Sequence, residues 1–326
     1  SAGNLTVYIA TGDKDASDTY SVGVLKSVNS GPWISTGLTS VETGNQAGDL
    51  ILHPTNNQIL LCATSNGLYR TINGGTTWTQ EQTGDFSQGS VRFKPNDPTI
   101  VYATTKNRFY KSTNTGDTFT NITSGLSTAA QTNRMILDVT PADNTYVYVL
   151  SINGSNALNG IYRSTNSGGS FTKTSGTTDV LESTQGWYDL ALAVSNTNKD
   201  LVFTGCLNIW KSSNGGTAVT KVNNWSSPNS APYTHADIHH LQYLNGKLFC
   251  LSDGGIYVSS DDGSNFTDLT AGLQISQFYR VSVSKTSAGK MVGGLQDNGG
   301  YAYSNSSWKN YYGADGMDAA VSQTNS

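Results

Sequence analysis

The stretch Ser164-Thr-Asn166-Ser-Gly168-Gly-Ser-Phe171 carries the short pattern that decides the fold. A Ser or Thr is followed by Asn or Asp two residues later and by Gly four residues later, and an aromatic or apolar residue usually comes next. Clear copies also occupy residues 71–78, 112–119, 212–219 and 259–266, and two contracted copies occupy residues 27–33 and 304–308. The copies begin roughly 40 to 50 residues apart, which is the length of one four-stranded blade. The sequence therefore predicts an all-β, seven-bladed β-propeller of four-stranded antiparallel blades.

Each repeat supplies the strands that such a blade needs. An apolar run, a turn rich in Pro, Asn and Asp, and a second apolar run come first, as in residues 91–103. A third strand then ends in an aromatic residue and a base, as in Tyr69-Arg70, and the pattern turns the chain into a fourth strand. We expect one domain over residues 1–326, with six blades at residues 41–85, 86–125, 126–178, 179–226, 227–272 and 273–312. Residues 317–326 and 1–40 would form the remaining blade, in which pairing of the N- and C-terminal strands closes the propeller.

Composition excludes some partners. Only 13% of residues are charged and the formal net charge is -4, so the chain lacks the basic field that nucleic acid requires. No apolar run is long enough to span a membrane and no cleavable signal opens the chain, as expected of a mature secreted protein or an excised domain. Cys62, Cys206 and Cys250 fall in or beside apolar strands of different repeats, so we expect buried thiols. We also expect a monomer.

The repeated pattern itself predicts a structural role. Its hydroxyl and its amide or carboxylate can bond nearby backbone amides, and its Gly can take a positive φ. Because the pattern joins third to fourth strands, it marks one face of the propeller. The loops that join second to third strands, and fourth strands to the next first strand, share the other face, where we expect function.

Aromatic and polar residues on that other face suggest a binding site for sugars or protein. Flat apolar side chains could stack on sugar rings while carboxylates and amides accept or donate hydrogen bonds. Equally, aromatic residues at strand entries can simply fill the space between blades. The candidate ligand contacts are Trp187, Tyr188, Tyr279, Gln296, Asp297 and Asn298.

Four aspartates on the same face allow a second interpretation, a glycoside hydrolase. One acid and one base or nucleophile on either side of a glycosidic bond suffice for this chemistry, although sequence spacing does not say which two lie at a workable distance. No Gly-x-Ser-x-Gly elbow is present for a nucleophilic serine. The candidates are Asp189, Asp237, Asp297 and Asp315.

Two groups of residues could hold a metal, although the fold requires no cofactor. His235, Asp237 and His239 point the same way if they lie in an extended strand, so they could bind a transition metal. The alternative is a set of polar side chains bonded to water or to neighbouring blades. The run Asp13, Asp15 and Asp18 resembles half of a calcium loop without its Gly and distal acid. A solvated acidic turn is the competing explanation.

The repeated pattern resembles the Asp-box, or bacterial neuraminidase repeat, of sialidases, sortilin-type receptors, xyloglucanases and a photosystem II assembly propeller. Further segments resemble secreted bacterial sortilin-like propellers that are often labelled glycosyl hydrolases, many of which in Bacteroidota carry a type IX secretion sorting domain. These segments are residues 185–189, 235–240, 252–257, 277–279 and 293–299.

This resemblance implies a secreted or cell-surface bacterial propeller that binds glycan or protein without catalysis, or else a glycoside hydrolase. Only Asp261 keeps the acid that is usual in the box, and the Arg-Ile-Pro signature of sialidases is absent, which argues against sialidase chemistry. Xyloglucanases place their catalytic aspartates between two propellers, whereas this chain predicts one.

Overall fold

The computed structural model describes residues 5–15, 19–44, 46–273 and 277–322. Within these residues the regular structure is almost entirely β-strand, with one short helix, α1 (Ser40–Thr43), and one 3-10 turn at Ala129–Gln131. The strands form seven antiparallel sheets of the β-propeller type, the number predicted from the repeats. None of the described helices is long and apolar enough to cross a membrane. The chain divides into two compact units, Ser1–Leu269 and Thr270–Ser326.

The first unit contains six sheets. Sheet 1 contains β1 (Thr6–Ala10), β2 (Val24–Val28) and β3 (Ile34–Ser35). Sheet 2 contains β4 (Ala47–Leu52), β5 (Leu60–Thr64), β6 (Gly67–Thr71) and β7 (Thr79–Thr83). Sheet 3 contains β8 (Val91–Phe93), β9 (Val101–Thr104), β10 (Phe109–Ser112) and β11 (Thr120–Ile122). Sheet 4 contains β12 (Arg134–Val139), β13 (Val147–Ile152), β14 (Leu158–Ser164) and β15 (Thr172–Lys173).

The remaining sheets follow the same order along the chain. Sheet 5 contains β16 (Ala191–Val194), β17 (Val202–Gly205), β18 (Ile209–Ser212) and β19 (Thr220–Lys221). Sheet 6 contains β20 (Ile238–Leu244), β21 (Lys247–Ser252), β22 (Gly255–Ser259) and β23 (Thr267–Asp268). Sheet 7, in the second unit, contains β24 (Arg280–Val283), β25 (Met291–Leu295), β26 (Gly299–Ser304) and β27 (Ser307–Tyr312).

Apolar side chains fill the spaces between consecutive sheets of the first unit. Five buried clusters join sheets 1 to 2, 2 to 3, 3 to 4, 4 to 5 and 5 to 6. Because the middle strands pack on both faces, β5 and β13 are buried along their whole length, whereas the outer strand β7 is mostly exposed. Burial of this apolar surface is the main force that holds the sheets together.

The repeated pattern forms one hydrogen-bonded turn between third and fourth strands. The Ser164 hydroxyl donates to Asn166 Oδ1 (2.8 Å) and accepts from the Gly168 amide (2.9 Å). Asn166 Oδ1 also accepts from the amide of Ser170 (3.0 Å). Gly168 has a φ of +72°, and a Cβ there would lie 3.0 Å from the ring of Tyr102. These bonds recur in the other four clear copies.

Sheet 1 differs from the prediction. It has three strands, and residues 317–322, which were expected to supply the first strand of this blade, form none. That segment has only one β-branched residue, Val321, so its preference for a strand is weak. Residues 323–326 lie outside the described part of the chain, and closure of the propeller by its two terminal strands is not observed.

Candidate functional site

A turn before sheet 5 carries two of the predicted aromatic residues. We call residues 183–189 the Trp187 turn. Its backbone is tight, because the amides of Tyr188 (2.7 Å) and Asp189 (3.1 Å) both donate to the carbonyl of Gln185. Trp187 is 45% exposed and Tyr188 lies beside it, with the two ring centres 5.6 Å apart. The turn therefore presents a flat apolar surface to solvent.

The buried side chain of Arg134 holds this turn in place. It opens β12 and is only 1% exposed. Its Nη1 donates to the carbonyls of Gly186 (3.3 Å), Trp187 (3.0 Å) and Tyr188 (3.0 Å). Its Nη2 donates to Asp15 Oδ1 (2.8 Å). A buried guanidinium with one carboxylate and several carbonyl partners is fully used, and it fixes the turn to the segment after β1.

Asp15 and Asp253 hold His239 from two sides. His239 Nδ1 lies 3.1 Å from Asp15 Oδ2, and its Nε2 lies 2.7 Å from Asp253 Oδ1. Burial alone would lower the pKa of His239, but hydrogen bonds to the two carboxylates raise it to about 9. Burial opposes ionisation of Asp15, but the hydrogen bond from His239 and the charge of Arg134 hold its pKa below the ordinary value. His239 is therefore a cation at neutral pH.

Tyr188 connects this ion pair to the aromatic surface. Its ring meets that of His239 edge to face at 4.7 Å, and its hydroxyl donates to Asp253 Oδ2 (3.4 Å). Burial, and then the charge of Asp253, raise the pKa of Tyr188 above its usual range. The phenol is thus a neutral donor whose position depends on sheet 6.

Asp237 lies beside Asp253 at the same place. One carboxylate oxygen of each residue lies within 4.8 Å of the other. Asp237 Oδ1 accepts from Gln185 Nε2 (3.0 Å), and the Asp237 carbonyl accepts from the Asp253 amide (3.2 Å). Two carboxylates and two aromatic rings therefore adjoin the Trp187 turn.

Asp189 differs from the exposed acceptor that the sequence suggested. It is fully buried; its Oδ1 accepts from the thiol of Cys206 (3.2 Å), and its Oδ2 has no partner in the described part of the chain. Burial raises its pKa to about 7. A carboxyl in this position supports the turn and does not reach solvent.

The expected transition-metal geometry depended on an extended strand over residues 235–239, and that strand is absent. β20 begins at Ile238, Asp237 has a φ of +58°, and the pairing of β20 with β21 shifts register after Ile238. Both ring nitrogens of His239 already face carboxylates, and His235 Nδ1 contacts the carbonyl of Ala236 at 3.2 Å. Among the described side chains, the donor atoms of His235, Asp237 and His239 do not gather within 4.8 Å. A metal there stays a prediction that would require His239 to leave its partners.

The acidic run near the N-terminus is used within the protein. The Asp15 amide donates to Asp13 Oδ1 (2.9 Å), while the Asp15 carboxylate is bonded to Arg134 and His239. Asp18, the third member of the predicted calcium loop, lies outside the described residues. A calcium ion at this turn therefore stays a prediction.

The other candidates belong to the second unit. Tyr279 is 58% exposed, and its amide donates to the carbonyl of Gly294 (2.8 Å). The amide of Asp297 donates to Asp315 Oδ1 (2.9 Å), and Asn298 Nδ2 donates to the carbonyl of Gln296 (3.1 Å). Gln296, Asp297 and Asn298 form the connection between β25 and β26, whereas Tyr279 precedes β24 and Asp315 follows β27.

Sequence reasoning omitted Arg134 and Asp253 from the candidate site. The signal for Arg134 was a single base at the head of an apolar strand, Arg134-Met-Ile-Leu137. Asp253 lies in the connection between β21 and β22, on the same kind of loop as the other candidates.

No protein-family model matches this sequence, and no curated protein matches it. Solved structures do resemble the fold. A GH74 enzyme from Niastella koreensis matches with a TM-score of 0.61 and 16% identity, over 98% of this chain and 59% of the enzyme. PorZ, a surface component of the type-IX secretion system of Porphyromonas gingivalis, matches with a TM-score of 0.53 and 12% identity, over 90% and 37% of the two chains.

The extracellular domain of BT4673 from B. thetaiotaomicron, described as a one-component system, matches with a TM-score of 0.51 and 15% identity, over 95% of this chain and 46% of that one. At these identities the likeness establishes the β-propeller fold alone. This chain spans less than two thirds of the length of each of these proteins.

Proposed function

We propose that this chain is a secreted or cell-surface propeller of the Asp-box type that binds glycan, without catalysis, at the Trp187 turn. The observation that carries the proposal is an exposed Trp187 on a turn whose three successive carbonyls are fixed by the buried Arg134. A rigid aromatic surface loses little entropy when a sugar ring stacks on it. Asp237 and Asp253, whose carboxylates adjoin this turn, would accept hydrogen bonds from sugar hydroxyls.

Replacement of Trp187 tests the proposal. We expect Trp187→Ala to weaken binding of any glycan found on an array by about tenfold or more, because the stacking surface is lost. Titration calorimetry with the purified chain gives the dissociation constant. Trp225→Ala is the matched control, since Trp225 is similarly exposed at 48%.

Equal binding by Trp187→Ala and the unchanged protein would contradict a site at this turn. Equal losses in the Trp187 and Trp225 variants would also contradict it, because the effect would then be unspecific. If the protein binds no glycan but binds an extracellular protein from a defined panel, the ligand of this turn would be a protein and not a glycan.

The pair Asp237 and Asp253 favours a second candidate function, a glycoside hydrolase. One carboxylate oxygen of each lies within 4.8 Å of the other, which is shorter than the roughly 5–5.5 Å between the carboxyl groups of retaining glycosidases. GH74 enzymes share the fold, although at low identity. Release of reducing sugar from a panel of polysaccharides, abolished in both Asp237→Asn and Asp253→Asn, would support it, and absence of turnover on the panel would count against it.

A further inference from the structure

A small cavity in the first unit is lined by charged side chains that the candidate site does not use. Its volume is about 40 Å³. Lys14 follows β1, while Asp49, Arg92 and His240 lie on the first strands of sheets 2, 3 and 6. Ser90 and apolar residues complete the lining together with His239, the one lining residue that the cavity shares with the candidate site. Such a volume accommodates a few waters or one ion of similar size.

Hydrogen-bond donors outnumber acceptors around this cavity. Within the described part of the chain, neither the Lys14 ammonium nor the His240 ring has a hydrogen bond or ion pair. Arg92 Nη1 donates to Asp49 Oδ2 (2.6 Å) and to the Val91 carbonyl (2.8 Å), and its Nε forms an ion pair with Asp138 (3.5 Å). The remaining nitrogen, Nη2, has no partner among the described groups. The Ser90 hydroxyl accepts from the Leu137 amide (3.3 Å), and its own hydrogen has no acceptor there.

Asp49 supplies only part of the missing acceptors. Its Oδ2 already accepts from Arg92 and from the Val91 amide (2.9 Å), which leaves Oδ1 as its one oxygen without a partner among the described groups. Donors that line a cavity are normally satisfied, and a single carboxylate oxygen cannot serve all of them, so whatever fills the cavity must accept several hydrogen bonds at once.

The electrostatic field in the cavity favours a negative charge. Burial, and then the charges of Arg92 and Lys14, lower the pKa of His240 to about 4, although Asp49 acts in the opposite direction. Burial also outweighs Arg92 at Asp138 and raises the pKa of that carboxyl. His240 is therefore a neutral N–H donor at neutral pH, and the positive charges dominate at its ring.

We propose that this cavity is a binding site for a monovalent anion of halide size. The anion accepts from Lys14 Nζ, Arg92 Nη2, the His240 ring and the Ser90 hydroxyl. Organic acids of the size of gluconate are too large for a space of about 40 Å³. The site would tie the segment after β1 to the inner strands of three sheets, and it does not depend on glycan binding.

Bromide provides a direct test, because its anomalous scattering distinguishes it from water. We expect crystals of the whole chain grown in sodium bromide to show an anomalous peak between Lys14 and Arg92. In solution, bromide should raise the pKa of the His240 imidazole, followed by NMR, since a nearby anion favours the charged ring. A cavity that contains water only, with no anomalous peak and no shift of the His240 pKa, would overturn the proposal.

A variant gives an independent measurement. At constant ionic strength, exchange of gluconate for chloride should raise the melting temperature of the unchanged protein, because a ligand bound only to the folded state stabilises it. Lys14→Gln should lose this rise, whereas Lys106→Gln, which removes an exposed lysine elsewhere, should keep it. The same rise in all three proteins would contradict a specific site, and if Lys14→Gln does not fold, the bromide crystals decide.

Discussion

Arg134 is the residue on which the candidate site depends most. Arg134→Met would leave the buried Asp15 carboxylate with His239 as its one remaining cation, and it would remove the donor of the Gly186 and Tyr188 carbonyls. Loss of one partner of a buried ion pair costs about 3–5 kcal/mol, so we expect the free energy of unfolding to fall by about this amount in urea titration. Arg108→Met, at an exposed arginine, is the control. Similar free energies of unfolding of the two variants would show that Arg134 does not stabilise the fold in this way.

The buried Asp189 carboxyl should make the stability of the folded chain depend on pH. Its pKa is raised by burial to about 7, from an ordinary 3.8, so the folded chain holds a proton that the unfolded chain releases. The stability that this proton confers is fully present below about pH 4 and is lost as the pH rises through 7. We expect Asp189→Asn, which stays neutral, to exceed the unchanged protein in stability at pH 8 by on the order of 2–4 kcal/mol.

Urea titrations at pH 5 and pH 8 check this difference. The advantage of Asp189→Asn should shrink at the lower pH, and Asp179→Asn, at an exposed aspartate on the approach to the same turn, should show no such change. An advantage that is independent of pH would mean that Asp189 remains ionised in the folded chain.

At the scale of the element, the repeated turn depends on one hydroxyl. The Ser212 hydroxyl donates to Asn214 Oδ1 (2.9 Å) and accepts from the Gly216 amide (2.8 Å), whereas the adjacent Ser213 is exposed. Ser212→Ala should therefore lower the free energy of unfolding by about 1–2 kcal/mol, and Ser213→Ala should leave it unchanged. Urea titration of the two variants measures both values. Equal stabilities would contradict a structural role for the hydroxyl.

The sequence predicts these turns because each one is local. Ser, Asn and Gly at spacings of two residues contain all the groups that bond to one another. The segment 235–239 could not be predicted in the same way. Its conformation depends on the positive φ of Asp237 and on the register shift against β21, and a pattern of alternating side chains reveals neither. Among the described side chains, the donor atoms of His235, Asp237 and His239 therefore do not gather within 4.8 Å of one another.

At the scale of the whole molecule, the fold was predictable and the site was only partly so. The repeat length gives the number of sheets, since each repeat forms one sheet. The contacts of Asp15 with Arg134 and His239 join residues 119 and 224 positions apart, and no local pattern specifies such pairs. The missing fourth strand of sheet 1 shows the same limit, because its pairing depended on the most distant segment of the chain.

The three cysteines give a prediction for the molecule as a whole. Cys62, Cys206 and Cys250 are free and buried, as the sequence suggested, and burial raises the pKa of each thiol. We expect a thiol reagent to label none of them in the folded chain and all of them in denaturant. A reducing agent should leave the melting temperature unchanged. Labelling of the folded chain, or a lower melting temperature under reduction, would contradict this.

Towards the backbone, the repeated turn uses a single side-chain oxygen of its Asn or Asp, as Asn166 and Asp261 both show. The second polar atom meets the side chain four residues later, where Asn166 Nδ2 donates to the Ser170 hydroxyl and Asp261 Oδ2 accepts from Asn265 Nδ2. An amide and an acid therefore accept the same hydrogen bond from the backbone at this position, although they differ by a full unit of charge. Mutation can exchange one for the other along a lineage when the side chain four residues later changes its hydrogen-bonding role to match. The isoelectric point and the electrophoretic behaviour of such propellers can thus drift freely, and the acids in these turns are a poor guide to ancestry or to ligand charge.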